Sequence, residues 1–580
     1  MTKFADQGGY HDMERKLYST FGARHSMKPS QASLDALHVI QETAWVINEP
    51  VMRFVDWLQG EGAKSPMGLS RSAVPSVRVS ALEYASLTKQ QRRALAAERA
   101  EARSSNSKRS AVANRIDIAN SLRDKGEFYQ PQFMDFRGRL YPMNTEFNNQ
   151  ADHWAKGMMM FAEGTKLGES GFNHLAIHVA NTWGQDKLQL DDRIKYVMDN
   201  IEDILSVADS YEDASRICSE ADEPLAFYAA ACDLAAAYRA ENASEYVSHI
   251  PCAIDGTCNG LQILSLLGHD PVGAEKTNCT SNPQRQDIYM EVADIALDLV
   301  AKDLDSKEVV KTLGADGEEC EVSVARIAEV WLAHLQDMNK RRKAVKRAIM
   351  TTAYGVSEFT IGNNLLEDGI VDKLVIPQDL DYAAAGKLKR VFSSYFRDVI
   401  VKAREGAIQS GVRIMDYFTA TAAALGRENK PMTWTTPDGL QVTQSYRKTL
   451  KARYTSVTLG QLVTKKLTNN LDANKCGSGA APQVVHSLDA AMLRMTAVRM
   501  ADQGVTSLSM IHDSYGASAG SIDLLHATLR EVAVEIFEGD WLMDSFHPEQ
   551  AAHGIDLDLP PAQGDLDVAS EIPEAVYFFS

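Results

Sequence analysis

Apolar residues recur three or four positions apart along most of the chain, a pattern that predicts a mostly helical protein. Within the first 125 residues, for example, Leu34, Leu37 and Ile40 repeat at helical spacing. The further helices that this pattern predicts are residues 167–246, a helix from about 261, a long helix over 325–352, and helices continuing to 425. Two segments are typical of β-structure instead, residues 247–254 and a hairpin over 433–446 around Pro437-Asp438-Gly439.

The composition is that of an ordinary globular protein, with 45% apolar and 24% charged residues in a chain of 580. At about 150 residues per domain, this length suggests roughly three to five domains. The 60 lysines and arginines are outnumbered by 78 aspartates and glutamates, which gives a net charge of −18. This balance excludes a small basic DNA-coating protein, although a large acidic protein can still carry one basic cleft.

The seven cysteines include no Cys-x-x-Cys pair and no zinc-ligand spacing, so we expect reduced thiols in a cytosolic protein. The first residues lack the apolar run of a signal peptide and the arginines of a transit peptide. No uncharged apolar stretch reaches the ~18 residues that a membrane span needs. We therefore expect a soluble, cytoplasmic protein that does not interact with a membrane.

Two segments in the first quarter of the chain could contact phosphates. Residues 90–111 carry six basic residues against two glutamates, and they are either a solvated helix with a loop or a phosphate-contacting arm. The turn Asp135-Phe136-Arg137-Gly138-Arg139 is expected to expose two guanidinium groups that grip phosphate or a nucleic-acid strand. Turns that are held by salt bridges have the same sequence pattern, so this alternative stays open.

Two aspartates follow strand-like segments. Asp255 precedes Gly256, so one carboxylate and one backbone carbonyl can point to the same place. Oxygen ligands of this kind suit Mg²⁺, but the same aspartate could instead cap the following helix. Asp513 lies in His512-Asp513-Ser514, between apolar residues at a predicted hairpin turn. We expect it to be a second metal ligand, since two aspartates on adjacent strands can hold two Mg²⁺ ions for phosphoryl transfer.

The long predicted helix carries a dense basic segment, because six of the eight residues 340–347 are lysine or arginine. Arg342, Lys346, Met350 and Tyr354 are spaced four apart and share one stripe of the helix. A polyphosphate along this stripe would offset the repulsion between the like charges. A solvated basic face is the alternative, but such faces usually intersperse acidic residues and this segment has none.

The order of these segments along the chain is that of motifs A, B and C of right-hand-shaped polymerases. A carboxylate comes first, then a basic helix that ends in Tyr-Gly, then a His-Asp pair. From about residue 36 to 580, the chain resembles the single-subunit, bacteriophage-type RNA polymerase family. The matching elements are Asp135 to Tyr141 (D-x-x-G-R), Asp255-Gly256 (motif A), Arg342-x3-Lys346-x7-Tyr354-Gly355 (motif B), His512-Asp513-Ser514 (motif C), Pro482 to Ser487, and Tyr577 to Ser580. The resemblance implies a mostly helical α+β fold shaped as a right hand, with thumb, fingers and a small antiparallel palm sheet that carries both aspartates.

The resemblance also implies a division into domains. These are an N-terminal remnant (1–39), a thumb-like helical region (40–125), a first palm part (126–164), a palm insertion (165–245), palm motif A (246–271), fingers (272–485) with the motif B helix (325–355) and a specificity hairpin (451–466), and palm motif C with the C-terminal segment (486–580). Family members normally carry a sizeable N-terminal domain that binds and melts promoter DNA. We therefore expect initiation to need an accessory subunit, a single-stranded-DNA-binding protein or an opened template.

The resemblance implies a role for each matching residue. Asp255, Asp513 and the Gly256 carbonyl would bind two Mg²⁺ ions. The other implied roles are triphosphate binding by Arg342, Lys346, Arg347 and Lys187, protonation of the leaving pyrophosphate by Lys346, recognition of the ribose 2′-hydroxyl by Tyr354 and His486, and nucleic-acid contacts by Arg137, Arg139, Lys156, Tyr289, Arg453 and Lys465.

The implied reaction is DNA-templated RNA synthesis, in which the RNA 3′-hydroxyl attacks the α-phosphate of an NTP. The alternative is a DNA polymerase of the same superfamily or a primer-synthesising polymerase. Ribonucleotides are favoured because Gly260 stands where those DNA polymerases carry a bulky glutamate, which leaves room for a 2′-hydroxyl. The implied partners are a DNA template, nascent RNA and NTPs, and the implied location is the host cytoplasm if the gene belongs to a phage.

A serine hydrolase is a remote alternative, because Gly516-Ala517-Ser518-Ala519-Gly520 fits the G-x-S-x-G nucleophile elbow. That fold would need further strands and helices, with an acid and a histidine, after the serine. Only 60 residues follow Gly520, which is too few, and the basic segment at 340–347 would have no role.

Overall fold

The computed structural model describes residues 26–69, 77, 79–313, 318–377, 385–456 and 460–580. Within these ranges the chain is mostly helical, and its strands form small antiparallel sheets of two or three strands. This arrangement confirms the predicted α+β fold class. None of the helices in the described ranges is long and apolar enough to cross a membrane.

The first part of the fold is built from five helices and five short strands. The helices are α1 (Gln31–Glu42), α2 (Glu49–Gln59), α3 (Ala81–Ser86), α4 (Lys89–Arg123) and α5 (His153–Met158). The strands are β1 (Ser26–Lys28), β2 (Trp45–Ile47), β3 (Gln132–Met134), β4 (Leu140–Pro142) and β5 (Met159–Phe161). The basic stretch at 90–111 lies inside α4, which begins with a capping box between Thr88 and Gln91. The predicted helix at 90–111 is therefore confirmed, but the predicted loop is not formed.

The second part contains eight helices and four short strands. The helices are α6 (Gly171–Trp183), α7 (Leu190–Asp199), α8 (Ile201–Asp209), α9 (Tyr211–Cys218), α10 (Pro224–Arg239), α11 (Asn259–Leu267), α12 (Pro271–Lys276) and α13 (Ile288–Lys302). The strands are β6 (Thr165–Lys166), β7 (Val247–Ser248), β8 (Pro251–Asp255) and β9 (Val309–Leu313). The predicted helices over 167–246 and the predicted strand over 247–254 are confirmed.

The third part contains the basic segment and three antiparallel pairs. The helices are α14 (Val324–Leu335), α15 (Met338–Met350), α16 (Glu358–Glu367), α17 (Ala385–Ala407) and α18 (Gln409–Arg427). The strands are β10 (Glu319–Ser323), β11 (Met432–Thr435), β12 (Gln441–Gln444), β13 (Arg447–Ser456) and β14 (Gly460–Leu471). β10 pairs with β9, β11 with β12 and β13 with β14, so both predicted hairpins form and the second is longer than 451–466.

The last part begins with a helix of 30 residues, α19 (Ala473–Asp502), and continues through β15 (Leu508–Ile511), β16 (Ser514–Ser518), α20 (Ile522–Phe537), α21 (His547–Ala551) and α22 (Val568–Glu574). Arg494 of α19 is almost fully buried and donates to both carboxylate oxygens of Asp438, at 2.7 and 2.8 Å. The same guanidinium donates to the Gly138 carbonyl at 2.6 Å. This buried arginine therefore joins α19 to the β11–β12 turn and to the Arg137-Gly138-Arg139 turn.

The single long helix that was expected over 325–352 is wrong, because the structure has two helices there. α14 ends at Leu335, and Asp337 accepts a hydrogen bond from the N–H of Lys340 as the N-cap of α15. An aspartate in this position competes with the helical backbone and favours a new helix start. A 3₁₀ turn over Thr352–Tyr354 follows α15, and left-handed Gly355 ends it.

The sheet that matters for function has three strands in the order β15-β16-β8, all antiparallel. β15 and β16 form a tight hairpin in which Ile511 faces Ser514, and Ser514 in turn faces Asp255 at the end of β8. Tyr515 on β16 is fully buried, and Cys252 and Ile254 on β8 are nearly so. The buried side chains fix the register of the sheet, because a shift of one residue would turn them toward solvent.

Candidate active site

The two predicted aspartates lie side by side at one end of this sheet. Asp255 is the last residue of β8, and Asp513 is in the β15–β16 turn, directly before the residue that faces Asp255. The Gly256 N–H donates to the Asp513 carbonyl at 3.3 Å, which ties the two chain segments together. His512 has the left-handed backbone that the tight turn requires (φ 53°). Both carboxylates line a cleft of about 620 Å³.

The electrostatics of the cleft favour a bound cation near the aspartates. Burial raises the pKa of Asp255, and the neighbouring Asp513 raises it further. Burial also raises the pKa of Asp513, as does the charge of Asp489. A divalent cation would relieve this repulsion and favour the ionised carboxylates.

The donor set fits Mg²⁺ better than a transition metal. Asp255 and Asp513 supply carboxylate oxygens and Gly256 lies at the same place, while the described residues include no cluster of three or more His, Cys, Asp or Glu that could hold a metal. Magnesium is usually held by one or two carboxylates and completes its shell with water and substrate phosphates. The residues present therefore fit this ion.

Basic residues line the same cleft from α5, from α15 and from the loops that precede α7 and α13. The lysines and arginines of the lining are Lys156, Lys187, Arg285, Arg342 and Lys346. Four of these five were predicted from the sequence, and Arg285 was not. A cleft with carboxylates on one side and cations nearby is suited to a ligand that carries both a metal and phosphates.

Arg342 is held in place by the residues at the start of α13. Its Nε donates to Asp287 at 2.6 Å, and its guanidinium lies 5.0 Å from the ring centroid of Tyr289. Asp287 is also the N-cap of α13, where it accepts from the N–H groups of Tyr289 and Met290. The arginine thus has a fixed orientation. Tyr289, predicted as a nucleic-acid contact, is mostly buried and also orients this side chain.

The predicted lysines Lys156 and Lys187 both line the cleft, each beside an acid. Lys156 lies 3.4 Å from Glu223, and Lys187 lies 3.6 Å from its neighbour Asp186. Arg193, which is fully buried, donates to the carbonyls of Asp186 and Leu188 and so braces the loop that carries Lys187. Sequence reasoning missed this support, because no motif marks it.

Arg347, predicted to bind the triphosphate, is not among the residues that line the cleft. Its guanidinium instead forms ion pairs with Glu367 at 3.4 Å and Asp368 at 2.6 Å, at the end of α16. Arg341 likewise pairs with Asp294 of α13. The absence of acids within residues 340–347 was therefore misleading, because neighbouring helices supply them.

Tyr354 and His486, predicted to recognise the ribose, contact each other. Their ring centroids are 4.7 Å apart, and Tyr354 lines the cleft. Burial and the charge of Asp513 raise the pKa of Tyr354 to about 12, so its hydroxyl keeps its proton at neutral pH. Burial and the charges of Arg139 and Arg137 lower the pKa of His486 to about 2, so the imidazole is neutral.

Arg137 also fixes which nitrogen of His486 carries the proton. Its Nη1 lies 2.7 Å from Nδ1 of His486. A guanidinium can only donate, so Nδ1 accepts and the proton of the neutral ring is on Nε2. His486 is therefore a hydrogen-bond donor through Nε2, which complements an oxygen acceptor.

The Arg-Gly-Arg turn does not expose its guanidinium groups, which corrects the expectation from the sequence. Arg137 forms an ion pair with Asp135 at 2.5 Å, and Arg139 pairs with buried Asp489 of α19. Asp489 also accepts from the Asn259 side chain at 3.2 Å. The salt-bridged alternative is thus the observed one, and Asp489 is a positioning residue that the sequence did not reveal.

Gly260 lines the cleft, and on the side where a side chain would begin it packs closely against the 3₁₀ turn. A Cβ atom at Gly260 would lie 2.6 Å from the Cβ of Ala353 and 3.7 Å from Cε1 of Tyr354. Glycine is thus needed for the close approach between α11 and the 3₁₀ turn that carries Tyr354.

Of the two predicted hairpin contacts, Arg453 is not among the residues that line the cleft. Arg453 is on β13 with an exposed side chain, and Lys465 is on β14, where its backbone faces Lys451. The hydrolase alternative has no structural support. Ser518 ends β16, is fully buried and shares a hydrogen bond of 2.6 Å with Thr165, so its hydroxyl cannot reach a substrate.

The chain is similar in sequence to known RNA polymerases. The sequence model of a family described as "DNA-dependent RNA polymerase" matches residues 165–554. The chain is 30% identical over 586 residues to "DNA-directed RNA polymerase 2, chloroplastic/mitochondrial" of Nicotiana sylvestris, which covers 99% of this chain and 55% of the relative. It is 29% identical over 591 residues to "DNA-directed RNA polymerase 1, mitochondrial" of Arabidopsis thaliana, covering 99% and 57%. The chain thus spans a little over half the length of these relatives.

Among solved structures, the chain is similar to the "POL domain of Pol1 from M. smegmatis complex with DNA primer-template and dNTP". The similarity has a TM-score of 0.40 at 11% identity, and it covers 90% of this chain and 68% of that one.

Proposed function

This chain belongs to the family of DNA-dependent RNA polymerases, and on that premise we propose that it synthesises RNA on a DNA template from NTPs by a two-metal mechanism. The observation that carries the proposal is the placement of Asp255 at the end of β8 beside Asp513 in the β15–β16 turn, in a cleft that Arg342 and Lys346 also line. Carboxylates and cations from distant parts of the chain meet there, as phosphoryl transfer requires.

Each residue then has a task that its position permits. When bound by Asp255, Asp513 and the Gly256 carbonyl, two Mg²⁺ ions would activate the attacking 3′-hydroxyl and neutralise charge on the leaving pyrophosphate. Arg342, fixed by Asp287, holds the triphosphate, and Lys346 donates a proton to the departing pyrophosphate. Lys187 adds a further positive charge at the same cleft. Holding the reacting groups in line supplies much of the rate.

We propose ribonucleotides as the substrate, with deoxyribonucleotide or primer synthesis as the alternative. Tyr354 lines the cleft and keeps its proton, so its hydroxyl can bond to a 2′-oxygen. We propose that His486, which contacts Tyr354 and donates through Nε2, bonds to the same oxygen. Gly260 supports the choice by allowing Ala353 to pack closely, which sets the position of Tyr354. The support therefore comes from the placement of these side chains and from Gly260, which lines the same cleft.

The division into thumb, palm and fingers stays a proposal for this chain. The three-stranded sheet would belong to the palm, residues 272–485 would form the fingers, and residues 40–125 would form the thumb-like region. Arg453 and Lys465 would contact DNA from the β13–β14 hairpin. Nucleic-acid contacts by Arg137 and Arg139 would be indirect, because both guanidiniums are held by internal partners.

For initiation, we propose that the 580-residue chain works with an accessory subunit, a single-stranded-DNA-binding protein or an opened template. The chain spans 55% of the length of the Nicotiana sylvestris relative, and the proposal concerns these 580 residues alone. Efficient opening of a closed duplex promoter by this chain alone would refute the proposal.

The test of the activity is extension of an RNA primer preassembled on a DNA template, with Mg²⁺ and either rNTPs or dNTPs. This substrate bypasses promoter opening and reports on the cleft alone. We expect extension with rNTPs, loss of extension in Asp513→Asn, and normal extension in Asp416→Asn, an exposed carboxylate on α18. Extension only with dNTPs would establish the DNA polymerase alternative, and no extension would reject the proposed activity of the chain alone.

A further inference from the structure

The charges that line the cleft are not all paired with one another. Arg342 pairs with Asp287, Lys156 with Glu223, and Lys187 with Asp186. The two cations of the lining that form no ion pair with any described residue are Lys346 and Arg285. Lys346 already has a proposed role at the triphosphate, whereas Arg285 matches none of the motifs in the sequence.

Arg285 lies in the segment that leads into α13, two residues before Asp287. Its Nε is buried and has no hydrogen-bond partner in the described part of the chain. The two carboxylates whose charges act on it already have other partners: Asp287 accepts from Arg342 and from the start of α13, and Asp186 pairs with Lys187. Burial lowers the pKa of Arg285, and the charges of Asp287 and Asp186 offset only part of this effect.

Arg285 is only partly buried, but its buried Nε costs free energy unless an anion accepts a hydrogen bond from it. An arginine keeps its charge in such a site, since the pKa of a guanidinium is far above neutral. The anion must be reached from the cleft, because Arg285 faces the same cavity as Arg342 and Lys346. A polyphosphate is the ligand whose several negative oxygens match these three cations together.

We infer that Arg285 is a further phosphate-binding residue of this cleft, and that it takes the place expected from the sequence for Arg347. Its ligand is the triphosphate of the incoming nucleotide and then the pyrophosphate that leaves. The inference rests on the proposed function. A phosphate of the nucleic-acid backbone shares the same chemistry, so the experiment must separate the two sources.

The test compares Arg285→Gln with Arg347→Gln, and uses Arg216→Gln as the matched control, because Arg216 is exposed on α9 and pairs with Asp213. Three quantities are measured: the KM for NTP on the preassembled primer–template, the Kd of inorganic tripolyphosphate for the protein without nucleic acid, and the Kd of the primer–template. We expect Arg285→Gln to raise the first two by about tenfold or more, as the loss of a charge-assisted hydrogen bond does, and to leave the third unchanged. Arg347→Gln and Arg216→Gln should change none of them by more than about twofold.

Three results would overturn the inference. Unchanged tripolyphosphate affinity in Arg285→Gln would remove the residue from the phosphate site. A larger loss in Arg347→Gln would return the role to that residue. A loss confined to primer–template affinity would mean that Arg285 contacts the nucleic-acid backbone instead.

Two further features keep the test decisive. If Arg285→Gln does not fold, Arg285→Lys retains the charge but loses the planar fork, and it should still weaken tripolyphosphate binding by several-fold. Unchanged affinity in that variant would also reject the inference. If the unmodified protein binds tripolyphosphate through Arg285 but extends no primer, the proposed polymerase activity fails while the phosphate site stands.

Discussion

Gly260→Ala tests how the nucleotide pocket is built, because the structure predicts the sign of its effect. The new Cβ would lie 2.6 Å from the Cβ of Ala353, whereas two carbons pack best at about 3.5–4.0 Å. The overlap of about 1 Å involves two rigid β-carbons, so the backbone of α11 or of the 3₁₀ turn must move. Tyr354 directly follows Ala353 and would move with it.

The magnitude follows from two opposing effects. Replacing a helical glycine by alanine ordinarily stabilises a protein by about 0.5–1 kcal/mol, because the unfolded chain loses freedom. Overpacking a core position costs about 1–3 kcal/mol. We therefore expect a net loss of about 1–2 kcal/mol in the free energy of unfolding. A displacement near 1 Å at the reacting groups can cost about 100-fold in rate, so extension should fall by about ten- to a hundredfold.

The assay is a double-mutant cycle with Ala353→Gly, which removes the opposing Cβ. Urea-induced unfolding and primer extension with rNTPs and dNTPs are measured for both single variants and the double variant. In the Ala353→Gly background, Gly260→Ala should become neutral or stabilising, and part of the extension rate should return. Two results would refute the close-packing argument. One is that Gly260→Ala stabilises the otherwise unmodified protein. The other is that the losses of stability and extension rate in the double variant equal the sum of the losses in the two single variants.

Three other outcomes are expected. Asp513→Asn should abolish extension while the Kd for the primer–template stays within about threefold, and retained turnover would exclude a metal ligand there. Tyr354→Phe should reduce the preference for rNTPs over dNTPs by about tenfold, the worth of one hydrogen bond; an unchanged ratio of kcat/KM values would contradict its role. The free energy of unfolding should fall as the pH drops below about 6.5 toward 4. Burial lowers the pKa of His526 to about 3 in the folded protein. In this pH range the histidine is therefore protonated in the unfolded chain but not in the folded one, which favours unfolding. The urea midpoint of His526→Leu should therefore depend less on pH, and an equal dependence would exclude this histidine as a cause.

The aspartate pair could be predicted because its signals are local. Asp255 follows a strand pattern and precedes a glycine, and Asp513 sits in a polar turn between apolar residues. Hairpin patterns of this kind specify which residues lie at the turn. Antiparallel pairing then brings the two carboxylates together, as the register of β8 and β16 shows. The overall helical content was predictable for the same reason, since helical periodicity is also local.

The partners of the basic residues could not be predicted, because they come from other elements. The sequence predicts that Arg347 is a cation without an acidic partner, yet it forms ion pairs with Glu367 and Asp368 at the end of α16. Arg139 reads as an exposed group, yet Asp489 of α19 neutralises it. No periodicity or spacing encodes such tertiary contacts. The break between α14 and α15 could have been predicted from the sequence, because Asp337 is a strong N-cap residue inside an otherwise helical pattern.

The active-site sheet joins a strand from the middle of the chain to two strands that the ribosome makes much later. Until β15 and β16 have emerged, β8 has no partner in this sheet, and its backbone groups form an open edge. Contacts between such distant segments form slowly, because a long loop must close first. During synthesis the nascent protein therefore carries an apolar, unpaired strand for a prolonged interval. We expect its production to depend on chaperones and to improve when translation is slowed or the temperature is lowered.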